Sequence, residues 1–113
     1  MHELAVTQNV LEIALRYAKK EGEPKIIDVF LVIGQLSSIV DDSVQFYWEI
    51  VSKGTLAEGA KLHFQRVSAV FQCLDCQHQY SLKENIVCPL CHSNNIRVTA
   101  GDEFYLEAID VSE

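Results

Sequence analysis

The four cysteines of the chain form two pairs with the spacing C-x-x-C, Cys73 with Cys76 and Cys88 with Cys91. A gap of two residues lets both sulfurs of a tight turn point at one ion. Two such turns supply four thiolates at the corners of a tetrahedron. This donor set suits Zn²⁺, for which the metal–sulfur bond is about 2.3 Å. The spacing therefore predicts a structural zinc site that uses all four cysteines.

Other uses of these cysteines remain open at this stage. Four sulfurs in a tetrahedron also suit iron, as in a rubredoxin-like electron carrier. A redox-active C-x-x-C pair needs no second copy, and a cytosolic chain is not expected to depend on disulfides. His78 and His92 lie just outside the two pairs. Each imidazole could donate a hydrogen bond to a sulfur or replace a cysteine as ligand.

Five elements are expected to position these residues. Apolar residues recur every three or four positions in residues 4–20 and 42–53, which predicts two amphipathic helices. Alternating or continuous apolar residues in 25–33, 61–71 and 103–111 predict three strands. The pattern indicates an α+β fold in which two helices pack on a small, mostly antiparallel three-stranded sheet. The cysteines form an inserted four-cysteine subdomain similar to a zinc ribbon.

Two local features of these elements can also be predicted. Asp41 or Asp42 is expected to cap the second helix, with Gln45 in a capping-box position relative to Asp42. The apolar alternation of 61–71 changes phase near Gln65–Arg66, which indicates a β-bulge.

The segment 72–101 is polar and contains little apolar material besides the cysteines. A segment this small rarely folds without a stabilising cross-link, and a bound metal ion can provide that cross-link. We expect strands 61–71 and 103–111 to pair, with the metal module inserted between them. The predicted organisation is an α/β domain of residues 1–71 plus 102–113 and a zinc-binding subdomain of residues 72–101.

Composition and charge exclude several classes of function. Lys and Arg number 9 and Asp and Glu number 16, which gives a net charge of −7 and argues against nucleic acid as a partner. The sequence contains no apolar run of roughly 20 residues and no signal-peptide pattern, so we expect a cytoplasmic protein without a membrane span. It also lacks the P-loop, Rossmann, H-E-x-x-H and G-x-S-x-G motifs, and we expect no enzymatic activity.

The N-terminus offers a second set of donors. The amine of Met1, the backbone amides of His2 and Glu3, and the His2 imidazole lie within a few bonds of one another. Square-planar nitrogen donor sets suit Ni(II) or Cu(II), and the imidazole must be neutral to bind. The alternative is a frayed terminal histidine, with Glu3 favoured by the helix dipole in the first helical turn.

In combination, these motifs closely resemble the HypA/HybF family of hydrogenase nickel-incorporation proteins over essentially the whole chain. Besides the two cysteine pairs, the motifs that carry the resemblance are Met1-His2-Glu3-Leu4, Ile33-Gly34-Gln35-Leu36-Ser37, Ala57-Glu58-Gly59-Ala60-Lys61-Leu62 and Ala108-Ile109-Asp110-Val111.

The resemblance implies a nickel metallochaperone that is not an enzyme. Such proteins work with a GTPase partner, HypB, to load nickel into the large subunit of [NiFe]-hydrogenase. It implies that Ni(II), the cargo, binds at His2 with the backbone of Glu3, in the domain of residues 1–71 plus 102–113. Structural Zn(II) would be held by Cys73, Cys76, Cys88 and Cys91. In some relatives a carboxylate after the first strand joins the nickel site, and Asp41 and Asp42 lie near that place.

Two further points stay open. Some relatives of this family assist urease, so the enzyme that receives the nickel is not determined by the sequence. The oligomeric state is also open, because a hairpin insertion can swap between protomers and either a monomer or a dimer is compatible with it. The alternative function is a generic zinc-ribbon module that acts as a protein-interaction adaptor.

Overall fold

The structure, a computed structural model, describes residues 3–82 and 86–112. Its elements, in chain order, are α1 (Glu3–Lys20), β1 (Ile26–Gly34), α2 (Asp41–Val51), β2 (Lys61–Val67), β3 (Val70–Cys73), β4 (Gln79–Ser81), β5 (Ile96–Ala100) and β6 (Phe104–Val111). Within the described residues, no helix combines the length and apolar character needed to span a membrane.

The chain divides into two compact units. The first unit comprises Met1–Val32, Ser38–Gln65 and Phe104–Glu113, and the second comprises Ile33–Ser37 and Arg66–Glu103. The second unit contains all four cysteines, and the segment Ile33–Ser37 joins it from a distant part of the sequence.

The first unit contains both helices and a three-stranded sheet in the order β2-β1-β6. Helix α1 contacts both α2 and β6. Burying a large apolar side chain contributes about 1.5–3 kcal/mol, so this core is the main source of the unit's stability. The buried core residues are Val10, Leu11, Ala14, Ala18, Ile26, Val29, Leu31, Val44, Trp48, Ala57 and Ala60. The predicted fold class is confirmed, with two helices, small sheets and a cluster of four cysteines.

The expected pairing of 61–71 with 103–111 is wrong. Strand β1 lies between β2 and β6, so both strands pair with β1. The sequence of β1 is apolar on both faces, and Val29, Leu31 and Ile33 are almost completely buried. A strand of this kind favours the centre of a sheet, where both of its edges are paired.

The predicted single strand 61–71 is instead two strands, β2 and β3, separated by Ser68 and Ala69. Leu62 and Phe64 of β2 pack against the core of the first unit. Phe71 of β3 is buried in the second unit. The alternation of burial in β2 also changes phase at Gln65 and Arg66, which are both exposed, so the bulge near Gln65–Arg66 stays a prediction.

The predicted cap of α2 is also wrong. The N-cap residue is Val40, and no side-chain hydrogen bond caps the helix there. Asp41 and Asp42 lie in the first helical turn, where the helix dipole stabilises negative charge. Glu3 of α1 accepts a hydrogen bond from the Val40 N–H, with 3.3 Å between Val40 N and Glu3 Oε2. In a capping box, the side chain of the third helical residue accepts a hydrogen bond from the N-cap N–H. Here the Glu3 carboxylate of α1 accepts the hydrogen bond from Val40, the N-cap residue of α2.

The second unit is built on the sheet β4-β3-β5, in which β3 pairs antiparallel with both neighbours. Phe71 lies opposite Tyr80 on one side and Val98 on the other. Its buried hydrophobic residues include Ala69, Phe71, Cys73 and Cys88. A core this small is typical of units that gain part of their stability from a cross-link or a bound metal ion.

The segment Ile33–Ser37 is held within the second unit by short hydrogen bonds. They run from Gly34 N to Glu103 O (2.7 Å), from Gln35 N to Val67 O (2.8 Å), from Leu36 N to Gly101 O (2.6 Å) and from Ala69 N to Gln35 Oε1 (2.7 Å). The backbones approach so closely that a Cβ on Gly34 would lie 2.1 Å from Gly101 O. Gly101 has a φ of 101°, and a Cβ there would lie 2.4 Å from Ala69 Cα.

We predict that Gly101→Ala destabilises the protein by roughly 2–5 kcal/mol, because it combines backbone strain with a steric clash. Gly54→Ala is the matched control, since Gly54 also has a positive φ (78°) but open space around its Cβ position. Its cost should be only about 1–2 kcal/mol, the cost of the backbone conformation alone. Urea unfolding of the full-length variants measures both values, and equal losses would contradict the close packing.

Candidate metal centre

The four cysteine sulfurs lie together in the second unit. All four Sγ atoms are within 4.8 Å of one another. Two distances connect the two loops, 3.5 Å between Cys73 and Cys91 and 3.6 Å between Cys76 and Cys88. A regular tetrahedron with metal–sulfur bonds of about 2.3 Å has sulfurs about 3.8 Å apart. The donor set and its spacing therefore fit one tetrahedral metal ion.

Both cysteine loops have the same backbone geometry. The residue after the second cysteine lies in the left-handed region, with φ of 70° at Gln77 and 60° at His92. This conformation turns the chain so that the first cysteine of each loop both accepts and donates a backbone hydrogen bond. The bonds, all 2.9 Å long, are Gln77 N to Cys73 O and Cys73 N to His78 O in the first loop, and His92 N to Cys88 O and Cys88 N to Ser93 O in the second.

This geometry also directs backbone N–H groups at the sulfurs. The Cys76 N–H faces Cys73 Sγ at 3.4 Å, and this contact is the main reason that the pKa of Cys73 is lowered to about 7. Burial raises the pKa of Cys88, but the N–H groups of Cys91 and Leu90 together with the Cys76 and Cys91 thiols outweigh it, so the pKa is lowered. The first cysteine of each loop is thus prepared to be a thiolate, the form that binds metal.

The pKa of the second cysteine of each loop is raised instead of lowered. The Ser93 N–H lowers the pKa of Cys91, but the Cys73 thiol, burial and the other two thiols together raise it to about 12. The His78 N–H lowers the pKa of Cys76, and burial with the neighbouring thiols reverses that effect. Four thiols this close cannot all ionise easily without a cation, because the negative charges repel. A bound dication removes this repulsion.

From the sequence, each of His78 and His92 could donate a hydrogen bond to a sulfur or replace a cysteine as ligand. The structure supplies backbone N–H groups instead, and the cluster as formed within the described residues consists of sulfurs alone. The His78 ring is stacked on Tyr80, with 6.0 Å between the ring centroids. The C-x-x-C spacing could have predicted these backbone donors, because a tight turn directs its N–H groups toward the sulfur of the first cysteine.

The predicted nickel site is described only in part. His2 lies outside the described residues, and its role stays a prediction. Glu3 begins α1 and is buried. Its backbone carbonyl accepts a hydrogen bond from Thr7 Oγ1 (2.5 Å), while its carboxylate accepts one from the Val40 N–H. The first turn of α1 is therefore fixed on both the backbone and the side chain of Glu3.

Comparison with known proteins settles the family. The sequence model described as "Hydrogenase/urease nickel incorporation, metallochaperone, hypA" matches residues 1–111. The chain belongs to the HypA family. Among related proteins, the hydrogenase maturation factor HypA of Dehalococcoides mccartyi is 40% identical, over 100% of this chain and 96% of the relative. The hydrogenase maturation factor HybF of Escherichia coli is 37% identical, over 98% and 99%.

Solved structures of HypA proteins share the fold of this HypA-family chain. The solution structure of the Ni metallochaperone HypA from Helicobacter pylori matches with a TM-score of 0.68 and 26% identity, over 98% of this chain and 97% of the other. A second solution structure of a HypA protein matches with a TM-score of 0.75 and 27% identity, over 99% and 97%. The likeness covers nearly the whole length of this chain, including the residues of both helices and the segment that contains the cysteines.

The cysteine pKa values predict how metal binding by this HypA-family protein depends on pH. Binding requires four thiolates, so each ion that binds releases the protons that the thiols still carry. Because the pKa of Cys91 is raised to about 12 and that of Cys76 is also raised, these two thiols keep their protons at neutral pH and must lose them when the ion binds. The affinity should therefore fall steeply as the pH decreases, by up to about tenfold per pH unit for each proton released. Chelator competition at a series of pH values measures this slope, and an affinity independent of pH would contradict binding to the thiols.

Proposed function

We propose that the protein is a nickel metallochaperone that binds Ni(II) at its N-terminus and delivers it during maturation of [NiFe]-hydrogenase. In this proposal a separate zinc ion, held by the four cysteines, has a structural role. The observation that carries the proposal is the four-sulfur cluster, tetrahedral in its spacing, within a chain that matches the HypA family over residues 1–111.

Zinc is the metal that the cysteine cluster fits best. Four thiolates close the coordination sphere and leave no open position, which is typical of structural zinc sites. The surrounding unit has a small apolar core, and the ion would join its two loops through Cys73 and Cys76 on one side and Cys88 and Cys91 on the other. When bound, the ion supplies positive charge and four bonds, while the chain's own N–H groups offset the charge of the thiolates.

Nickel is proposed to bind elsewhere, at His2 and the backbone next to Glu3. Nitrogen donors of this kind suit square-planar Ni(II) and differ from the sulfurs in both geometry and softness. Glu3 supports this arrangement because its two hydrogen bonds, to Val40 and Thr7, fix the helical turn that follows His2. A site at the start of the chain lets an acceptor replace the donors one at a time, which a carrier requires.

The partners follow from the same proposal. We infer that a GTPase of the HypB type assists delivery and that the [NiFe]-hydrogenase large subunit is the acceptor. The protein would act as a carrier and not as a catalyst. It would work in the cytoplasm, where the reducing environment keeps cysteines such as the four in this cluster as thiols.

We predict that His2→Ala abolishes tight nickel binding, because it removes the imidazole donor. The zinc content and the unfolding transition should remain unchanged. His63→Ala is the matched control, since His63 belongs to the first unit and pairs with Asp28 at 2.8 Å. Nickel titration by calorimetry with untagged protein measures the effect. An unchanged nickel affinity in His2→Ala would refute the site, and extending the chain before Met1 tests separately whether the terminal amine is a ligand.

Removing a cysteine ligand should weaken zinc binding without weakening nickel binding. We predict that Cys76→Ser lowers the zinc content and makes the second unit susceptible to protease, because one of four bonds is lost and the small core cannot compensate. Nickel binding at the N-terminus should persist. Metal analysis and limited proteolysis measure both effects. Zinc retained with native protease resistance would argue against ligation by four cysteines, and iron in the purified protein would favour the rubredoxin-like alternative.

A further inference from the structure

Asp75 occupies a particular position in the metal-binding unit, because it lies inside the first cysteine loop and contacts the segment that follows the second. Its carboxylate accepts hydrogen bonds from the Ser93 hydroxyl and from Asn95 Nδ2, the latter at 3.2 Å. The Asn95 N–H donates to Ser93 Oγ (3.0 Å), and the Leu74 N–H donates to Asn95 O (2.9 Å). These groups form a compact network between the two loops, which we call the Asp75 clamp.

We propose that Asp75 is a positioning residue that keeps the two cysteine loops together and thereby slows the escape of the bound metal ion. The inference rests on the proposed zinc site, since it concerns the ion held by the four cysteines. It assigns to this carboxylate a role separate from ligation, because Asp75 does not belong to the group of donors that surrounds the ion.

The reason lies in how a four-coordinate ion leaves. A zinc ion held by the four cysteines would be released only if its bonds to sulfurs of both loops opened, which would require one loop to move away from the other. Each loop has its own internal backbone hydrogen bonds, such as Gln77 N to Cys73 O and His92 N to Cys88 O. Each loop can therefore move as a rigid unit. The Asp75 clamp connects the two cysteine loops through hydrogen bonds that involve no sulfur, so it would persist if a bond between a sulfur and the ion opened. The released sulfur would then stay near the ion and could bind to it again.

The clamp is tied to the second cysteine pair through the backbone of Ser93. The hydroxyl of Ser93 contacts Asp75, while its carbonyl accepts the Cys88 N–H at 2.9 Å. Bonds that involve a carboxylate are stronger than neutral ones, although solvent reduces the strength of exposed ones. The two bonds to Asp75 should therefore alter the rate of zinc loss by a modest factor and leave the ligand set unchanged.

The test is the rate at which zinc passes from the full-length protein to an excess of a coloured chelator. We expect Asp75→Ala to accelerate zinc loss roughly three- to tenfold, the effect of losing one or two modest hydrogen bonds. Asp75→Asn should give an intermediate rate, because the amide keeps one acceptor oxygen and loses the other. Thr99→Val is the matched control, since it removes an exposed side-chain hydrogen bond of the same unit, from Thr99 Oγ1 to Val70 O (3.1 Å).

Two further measurements separate positioning from a general loss of structure. Substitution with Co(II) should give the same thiolate-to-metal absorption in Asp75→Ala as in the unchanged protein, because all four sulfurs still ligate. Combining Asp75→Ala with Ser93→Ala should accelerate zinc loss by much less than the product of the two single effects, because both changes break the same contact. A rate in Asp75→Ala equal to that of the unchanged protein, or an equal acceleration in Thr99→Val, would overturn the inference.

Failure of the inference can be distinguished from failure of the zinc proposal. If the unchanged protein holds no zinc on its cysteines, the proposed function is wrong and the clamp has no ion to retain. If it holds one zinc ion that the Asp75 variants release at the unchanged rate, only the inference is wrong. Should Asp75→Ala not fold, Asp75→Asn and Ser93→Ala give the decisive comparison, with faster zinc loss supporting the clamp and unchanged loss refuting it.

Discussion

The second unit depends on bringing four sulfurs within 4.8 Å of one another. This arrangement is unfavourable without a cation, because thiolates repel and thiols make weak hydrogen bonds. The two loops lower the cost by directing backbone N–H groups at the sulfurs, which is why the pKa of Cys73 and that of Cys88 are lowered. The remaining repulsion is what a dication relieves. A unit with few buried apolar residues can therefore use the cluster in place of a larger core.

The same unit also depends on a segment that is remote in sequence. Residues Ile33–Ser37 follow β1, yet their backbone pairs with Val67, Gly101 and Glu103. A simple insertion between two strands would contain only contiguous residues. Here the chain enters the metal-binding unit once early and once late, so its folding requires contacts of long sequence separation. Gly34 lies against the Gly101 backbone and Gly101 lies against Ala69, which is why neither glycine position accommodates a side chain.

The sequence was sufficient to predict features that depend on local chemistry. The two helices, expected at 4–20 and 42–53, are found at Glu3–Lys20 and Asp41–Val51, because helical periodicity is set by neighbouring residues. The cysteine cluster followed from the spacing of its ligands. Strand pairing could not be predicted in this way, because it depends on which elements share a sheet. The apolar pattern of 61–71 likewise did not show that the segment is divided between two sheets, because alternation reports which residues are buried and not which strand they pair with. The capping prediction failed because the helix begins at Asp41, one residue before the expected start, which places both aspartates inside the first turn and makes Val40 the N-cap residue.

The two proposed metal sites have opposite kinetic requirements. A structural ion must stay, which favours four ligands from two closed loops joined by a further contact such as the Asp75 clamp. A cargo ion must leave, which favours donors on one short stretch of chain that an acceptor can displace in turn. Sulfur and imidazole donors also differ in the metals they prefer, so neither site needs to exclude the other's ion by shape alone. In the proposed arrangement the nickel donors and the zinc donors come from different parts of the sequence, so each site would satisfy its own requirement without weakening the other.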